Sequence, residues 1–200
     1  SDDPYISEEG YYVRSYSQEN AKIDSIFMTV HFFDLNNMEE LSSYYLEEKR
    51  IQDIMISDGI AYIASTRQRD NNLKADAYIT AVDIHTGKML WENEMKDYYA
   101  EKVALPYNED ATDLLFVTSD SVSLLNMKTG ETSVFSPLYS DVLEINRFEN
   151  SNTFIMFCRN GDLLYADKAA NRISDINYQF ECKTKSNDFI FNSPAGIAVV

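Results

Sequence analysis

Apolar residues in this chain come in short runs with a period near two, and each run is closed by a polar or turn-forming cluster. "IQDIMIS" (51–57), "IAYIAS" (60–65), "AYITAVDI" (77–84) and "KMLWENE" (88–94) are four such runs in succession. They are too short for helices and too rich in β-branched and aromatic residues for loops, so each predicts a β-strand. The same rhythm continues through "EKVALPY", "DLLFVTS", "SVSLLNM" and "ETSVFS", then through "DVLEINRF", "TFIMFC", "DLLYAD" and "RISDIN". The pattern therefore predicts an all-β chain of short antiparallel strands grouped in fours.

An acidic or amide residue followed by a tight turn recurs at the end of the third strand of each group. Asp34, Asp83, Asn126 and Asp167 stand 49, 43 and 41 residues apart. Four residues beyond the last three anchors lie Gly87, Gly130 and Asn171, types that tolerate the positive φ a tight hairpin needs. Met38 takes that place in the first group, which predicts a degenerate first repeat or a hairpin of another shape. Four strands in about 40–45 residues is the period of a propeller blade. The predicted blades are 1–48, 49–95, 100–138 and 140–178, with 179–200 opening a fifth. Polar insertions at 1–24 and 66–75 predict long hairpin loops at equivalent places on the first two blades, close together on one face.

Ala81, Asp83, Thr86, Gly87, Lys88 and Trp91 together read A-x-D-x-x-T-G-K-x-x-W, which resembles the quinoprotein-like (PQQ-like) β-propeller repeat. The match is sharp in the second unit, partial in the third ("LLNMKTGE") and weak in the first and fourth. The resemblance implies that Trp91 docks onto the small alanine and glycine backbone of an adjacent blade. It also implies closure with about six to eight blades. Four units and the start of a fifth then read as part of a longer propeller, or as an open arc whose exposed strand edges pair with something, a second copy included.

Composition narrows the partners. Of 200 residues, 17 are Lys or Arg and 33 are Asp or Glu, a net charge of −16 that repels phosphate backbones and anionic lipid surfaces. Nucleic acid is therefore excluded as a partner. No apolar run approaches the roughly 18 residues that cross a bilayer, and the opening "SDDPYISEEGYY" has no basic or apolar leader pattern. Cys158 and Cys182, 24 residues apart, have no CxxC spacing and are read as two thiols or one disulfide.

Candidate chemistry is sparse. The resemblance would place a quinone cofactor beside adjacent cysteines and calcium ligands, and no Cys-Cys pair exists, so no cofactor is expected. His31 lies in the strand "TVHFFDL" and His85 in a turn, without metal-ligand spacing, so packing and exposure explain them. No G-x-S-x-G elbow or phosphate-binding glycine loop occurs. Glu39-Glu40 and Glu47-Glu48 alternate across a strand and cannot form an acid–base pair. Asp70, Asn72 and Asp76 in "RQRDNNLKAD" offer the oxygen donors calcium prefers, though not in the order of a known calcium loop; an ordinary polar hairpin tip is the competing reading.

The pairs Tyr11-Tyr12, Tyr44-Tyr45 and Tyr98-Tyr99 border acidic stretches, where tyrosine suits an interface. On a strand, one of each pair would instead pack inward. The expectation is a non-catalytic propeller module that binds a protein or ligand through its loop faces. The resemblance implies an extracytoplasmic setting in a larger bacterial envelope or surface protein. The alternative is the scaffold of an oxidoreductase or hydrolase whose active residues lie elsewhere.

Overall fold

The computed structural model describes residues 5–7, 9–20, 25–69, 74–105, 112–147, 153–160, 163–167, 172–175, 190–193 and 196–199. Every regular element among them is a strand. The first sheet has the order β1(Tyr5–Ile6), β2(Tyr11–Asn20), β3(Ser25–Asp34), β4(Glu40–Glu47), and the second β5(Arg50–Ser57), β6(Ile60–Arg69), β7(Lys74–Asp83), β8(Lys88–Lys96). The third comprises β9(Ala100–Ala104), β10(Asp113–Thr118), β11(Ser121–Asn126), β12(Thr132–Pro137), and the fourth β13(Val142–Arg147), β14(Thr153–Cys158), β15(Leu163–Asp167), β16(Arg172–Asp175). A two-stranded sheet, β17(Ile190–Ser193) and β18(Gly196–Val199), follows. In each sheet the strands are ordered as they occur in the chain, joined by hairpins, which is the meander of a propeller blade.

The chain divides into two compact units, residues 1–103 and 104–200. In the first, two sheets pack face to face. Val13, Val30, Phe32 and Leu46 of the first sheet meet Ile54, Ile56, Ala61, Ile63, Val82 and Ile84 of the second. The alternation of these positions along each strand is what turns one edge of the pattern inward. In the second unit Leu115, Val117, Val122 and Leu124 of the third sheet form one core with Phe154, Met156 and Ala166 of the fourth.

The polar stretch at 66–75 is less of a loop than the sequence suggests. β6 and β7 stay paired out to Arg69 opposite Lys74, and β2 and β3 out to Asn20 opposite Ser25. The middle strands of the first two sheets are thus ten residues long, against six for β10 and β11. Hydrogen bonds along a two-stranded ladder can continue past the core wherever both strands remain extended, and a polar sequence does not prevent it.

Candidate functional site

The recurrent hairpin is built on one plan three times. Asp34, Asp83 and Asn126 each turn a side-chain oxygen back onto the chain, accepting the N–H of Asn36 at 2.8 Å, of His85 at 2.9 Å and of Lys128 at 2.9 Å. Short polar side chains make such turns because they can bond their own backbone two residues on. In the second and third hairpins the same oxygen also accepts the Thr86 or Thr129 N–H. The Thr86 and His85 N–H bonds hold the Asp83 carboxyl below the usual range, because they favour its charged form. Each anchor carbonyl accepts the N–H four residues on, from Met38, Gly87 and Gly130, all at 2.8 Å.

Those three residues have φ of 57°, 66° and 72°. Met38 therefore does not give the first hairpin another shape; it adopts the glycine conformation at a steric cost. A register shift follows each time, between Phe32 and Phe33, Ala81 and Val82, and Leu124 and Leu125. In the fourth sheet Asp167 pairs Arg172 without a shift, and Asn171 lies outside the described residues.

Gly87 has a second duty. A Cβ built on it would lie 2.4 Å from the Ser43 carbonyl oxygen, and Ser42 Oγ donates to the Ile84 carbonyl at 2.6 Å. The second hairpin is thus seated directly on β4 of the first sheet. His85 is edge-on to Tyr11 at 6.1 Å, and the Glu9 carboxylate accepts the Asp58 N–H at 2.9 Å in the neighbouring turn. Ala81 pairs with Trp91 across β7 and β8. The indole, 9% exposed, packs against Tyr62 of its own sheet with ring centroids 6.0 Å apart.

The opposite end of the second sheet is densely charged. Asp76 is buried; its carboxylate meets Arg69 Nε at 2.8 Å and accepts the Asp97 N–H at 3.1 Å. The Asp76 oxygens, weighed in the sequence as calcium donors, thus already face a cation and an amide. Asp70 and Asn72 lie outside the described residues. Around it Arg67 bonds Glu48 and Arg69 bonds Asp97, each at 2.6 Å. Lys49 meets Glu92 at 2.6 Å and lies 4.0 Å from the centre of the Tyr78 ring. Burial, with the hydrogen bond to Glu94, pushes the Tyr78 phenol up to about 12.

His31 is half-buried, its Nδ1 2.7 Å from Glu40 Oε1 and its ring stacked with Phe33. Glu39 and Glu48 fall just outside β4 rather than on it, and Glu48 takes a positive φ. Cys158 is buried, and Cys182 lies outside the described residues. Among the described residues no three His, Cys, Asp or Glu side chains are placed to hold a metal, and no helix is long and apolar enough to cross a membrane. Several large apolar side chains are exposed instead. Tyr139, in the connection after β12, is 90% exposed, and Tyr99, after β8, and Tyr45, on β4, also face solvent.

Four-stranded meanders with a repeated third hairpin define the fold as β-propeller blades. Solved structures share it. The computationally designed Ika8 protein matches with a TM-score of 0.61 at 14% identity, covering 94% of this chain and 66% of that one. The designed Ika4 protein matches with a TM-score of 0.56 at 16% identity, covering 81% of this chain and 97% of that one. BamB from Moraxella catarrhalis matches with a TM-score of 0.55 at 14% identity, covering 97% of this chain and 59% of that one. This chain therefore spans less than two thirds of the Ika8 and BamB chains. No family model and no curated protein matches the sequence.

Proposed function

We propose that this chain is a binding or scaffold module, with a protein or ligand recognised through the loop faces of its blades and no chemistry of its own. The observation that carries the reading is the exposure of Tyr99 and Tyr139 in the connections that leave the fourth strands of the second and third sheets. A tyrosine ring in water forgoes the burial its apolar face favours, and it offers a partner contact area at low entropic cost. The net charge of −16 favours a cationic or neutral partner. The resemblance to PQQ-like repeats supports a place in a larger bacterial envelope or surface protein.

A photo-crosslinking residue at position 99 or 139 of the protein in its native cells tests this, with exposed Lys128 as the matched control. A discrete adduct at 99 or 139 that is absent at 128 supports the module. No adduct, or the same pattern at all three, refutes it. Uptake of pyrroloquinoline quinone with calcium and dye-linked dehydrogenase activity would refute it in favour of an enzyme scaffold.

A further inference from the structure

The two sheets of the first unit are repeats, so each position in one has an equivalent in the other through its strand register. In the second sheet Ile56, Ala61, Val82 and Ile84 form the face that receives the first sheet, and all are buried. Their equivalents in the first sheet are Ile6, Tyr12, Phe33 and Leu35, as the pairs Ile6↔Tyr12 with Tyr12↔Phe33 and Ile56↔Ala61 with Ala61↔Val82 establish. This outward face is partly uncovered: Ile6 is 57% exposed, Leu35 39%, and Met38 at the hairpin tip 54%, while Tyr12 and Phe33 are half-buried.

Another blade would not find here the contact that the second sheet offers the first. That contact depends on Gly87, where a Cβ would lie 2.4 Å from the facing carbonyl, and Met38 carries a Cβ at the equivalent place. Tyr12 replaces Ala61, and exposed Arg14 replaces buried Ile63, adding bulk and charge where the inner interface has neither. A second copy of a chain with net charge −16 meets like charge.

The rim of the patch is acidic. Asp34 and Glu39 flank Met38 in the hairpin, and Glu40 lies beside His31. Apolar side chains bordered at the hairpin by these carboxylates, with the Arg14 cation further along β2, fit an apolar occupant whose basic side chains lie over the hairpin. We propose that this outward face of the first sheet docks a basic, apolar protein segment, its aliphatic side chains on Ile6, Phe33, Leu35 and Met38 and its Lys or Arg side chains on the acidic rim. The inference rests on the binding-module reading but uses other residues, so either can fail without the other.

The test is fluorescence anisotropy of a labelled peptide of alternating Lys and Leu against the full chain, at low and physiological salt. Binding should weaken roughly tenfold or more in Leu35→Ser/Met38→Ser, as for a central apolar anchor. Glu39→Gln/Glu40→Gln should weaken it and flatten its salt dependence. Tyr139→Ser and Glu131→Gln, both remote, should leave it within about twofold. An unchanged Trp91 emission spectrum for the first-unit variants, and an unchanged circular dichroism spectrum for all of them, confirm that each variant is folded. No binding by the parent chain overturns the proposal, and so does equal weakening by Glu131→Gln, which would mean diffuse charge attraction. A parent dimer in sedimentation velocity that Leu35→Ser/Met38→Ser dissociates, without peptide binding, assigns the face to a second copy and also overturns it.

Discussion

Gly87→Ala against Gly10→Ala separates the two demands that the second hairpin places on its glycine. Both glycines have positive φ, 66° and 85°. A Cβ at Gly10 meets nothing within 4 Å, whereas one at Gly87 lies 2.4 Å from the Ser43 oxygen and 3.3 Å from Ser42 Cβ. The left-handed conformation costs an L-residue about 1–2 kcal/mol, and both variants incur it. Only Gly87→Ala must also push the backbone of β4 away. An overpacked interior contact adds about 1–3 kcal/mol, so Gly87→Ala should lose about 2–5 kcal/mol in all.

Trp91, on β8 of the same sheet and the only tryptophan, reports unfolding of this unit by fluorescence in urea. For a unit of this size each kcal/mol moves Tm by about 4–8 °C, so the two variants should differ clearly in both midpoints. If they lose stability equally, β4 does not bear on Gly87 and the seating of the second hairpin on the first sheet is wrong.

Met38→Gly relieves about 1–2 kcal/mol of backbone strain against about 0.5–1 kcal/mol of added chain entropy, so thermal denaturation should show a small gain; a loss would mean that the Met38 side chain packs. Trp91→Ala should destabilise the first unit by about 3–5 kcal/mol, read by circular dichroism because the fluorophore is gone, and full stability would remove the indole from the core. Asp83→Asn should be nearly neutral, since Asn126 makes the same turn, whereas Asp83→Ala should cost about 1 kcal/mol in urea. Because the Asp83 carboxyl is lowered in the fold, its charged form adds stability above the unfolded value. That contribution is lost as pH falls through the folded value, and Asp83→Asn should flatten the acid limb of stability against pH. Burial and the nearby Asp58 and Glu9 push Tyr62 up to about 12, as burial and Glu94 do for Tyr78. Both phenols should ionise last in an ultraviolet titration, and stability they give below the unfolded value of 10.0 should fade as pH rises toward 12; Tyr62→Phe should remove one late step.

Strands and their grouping were legible because alternation and β-branched residues report a half-buried sheet surface directly, and Asp83 with Gly87 reports a local turn. Met38 marks a degenerate repeat of unchanged hairpin shape because residue type is only a proxy for φ: the Asp34 carboxylate and carbonyl accept the Asn36 and Met38 N–H groups although Met stands in the glycine place. For Asp76 the sequence displays only the composition of its stretch. Its partner Arg69 sits seven residues earlier on the facing strand, a pairing that only the Arg69–Lys74 register creates.

The sequence by itself determined the elements and their repeat, since period, turn chemistry and glycine placement act over a few neighbouring residues. Tertiary structure alone decided which faces are covered. Ile84 and Leu35 are equivalent in the repeat, yet one is fully buried and the other is open to solvent. The physical difference is the presence of another sheet's carbonyls and apolar side chains within contact distance, which no local pattern encodes.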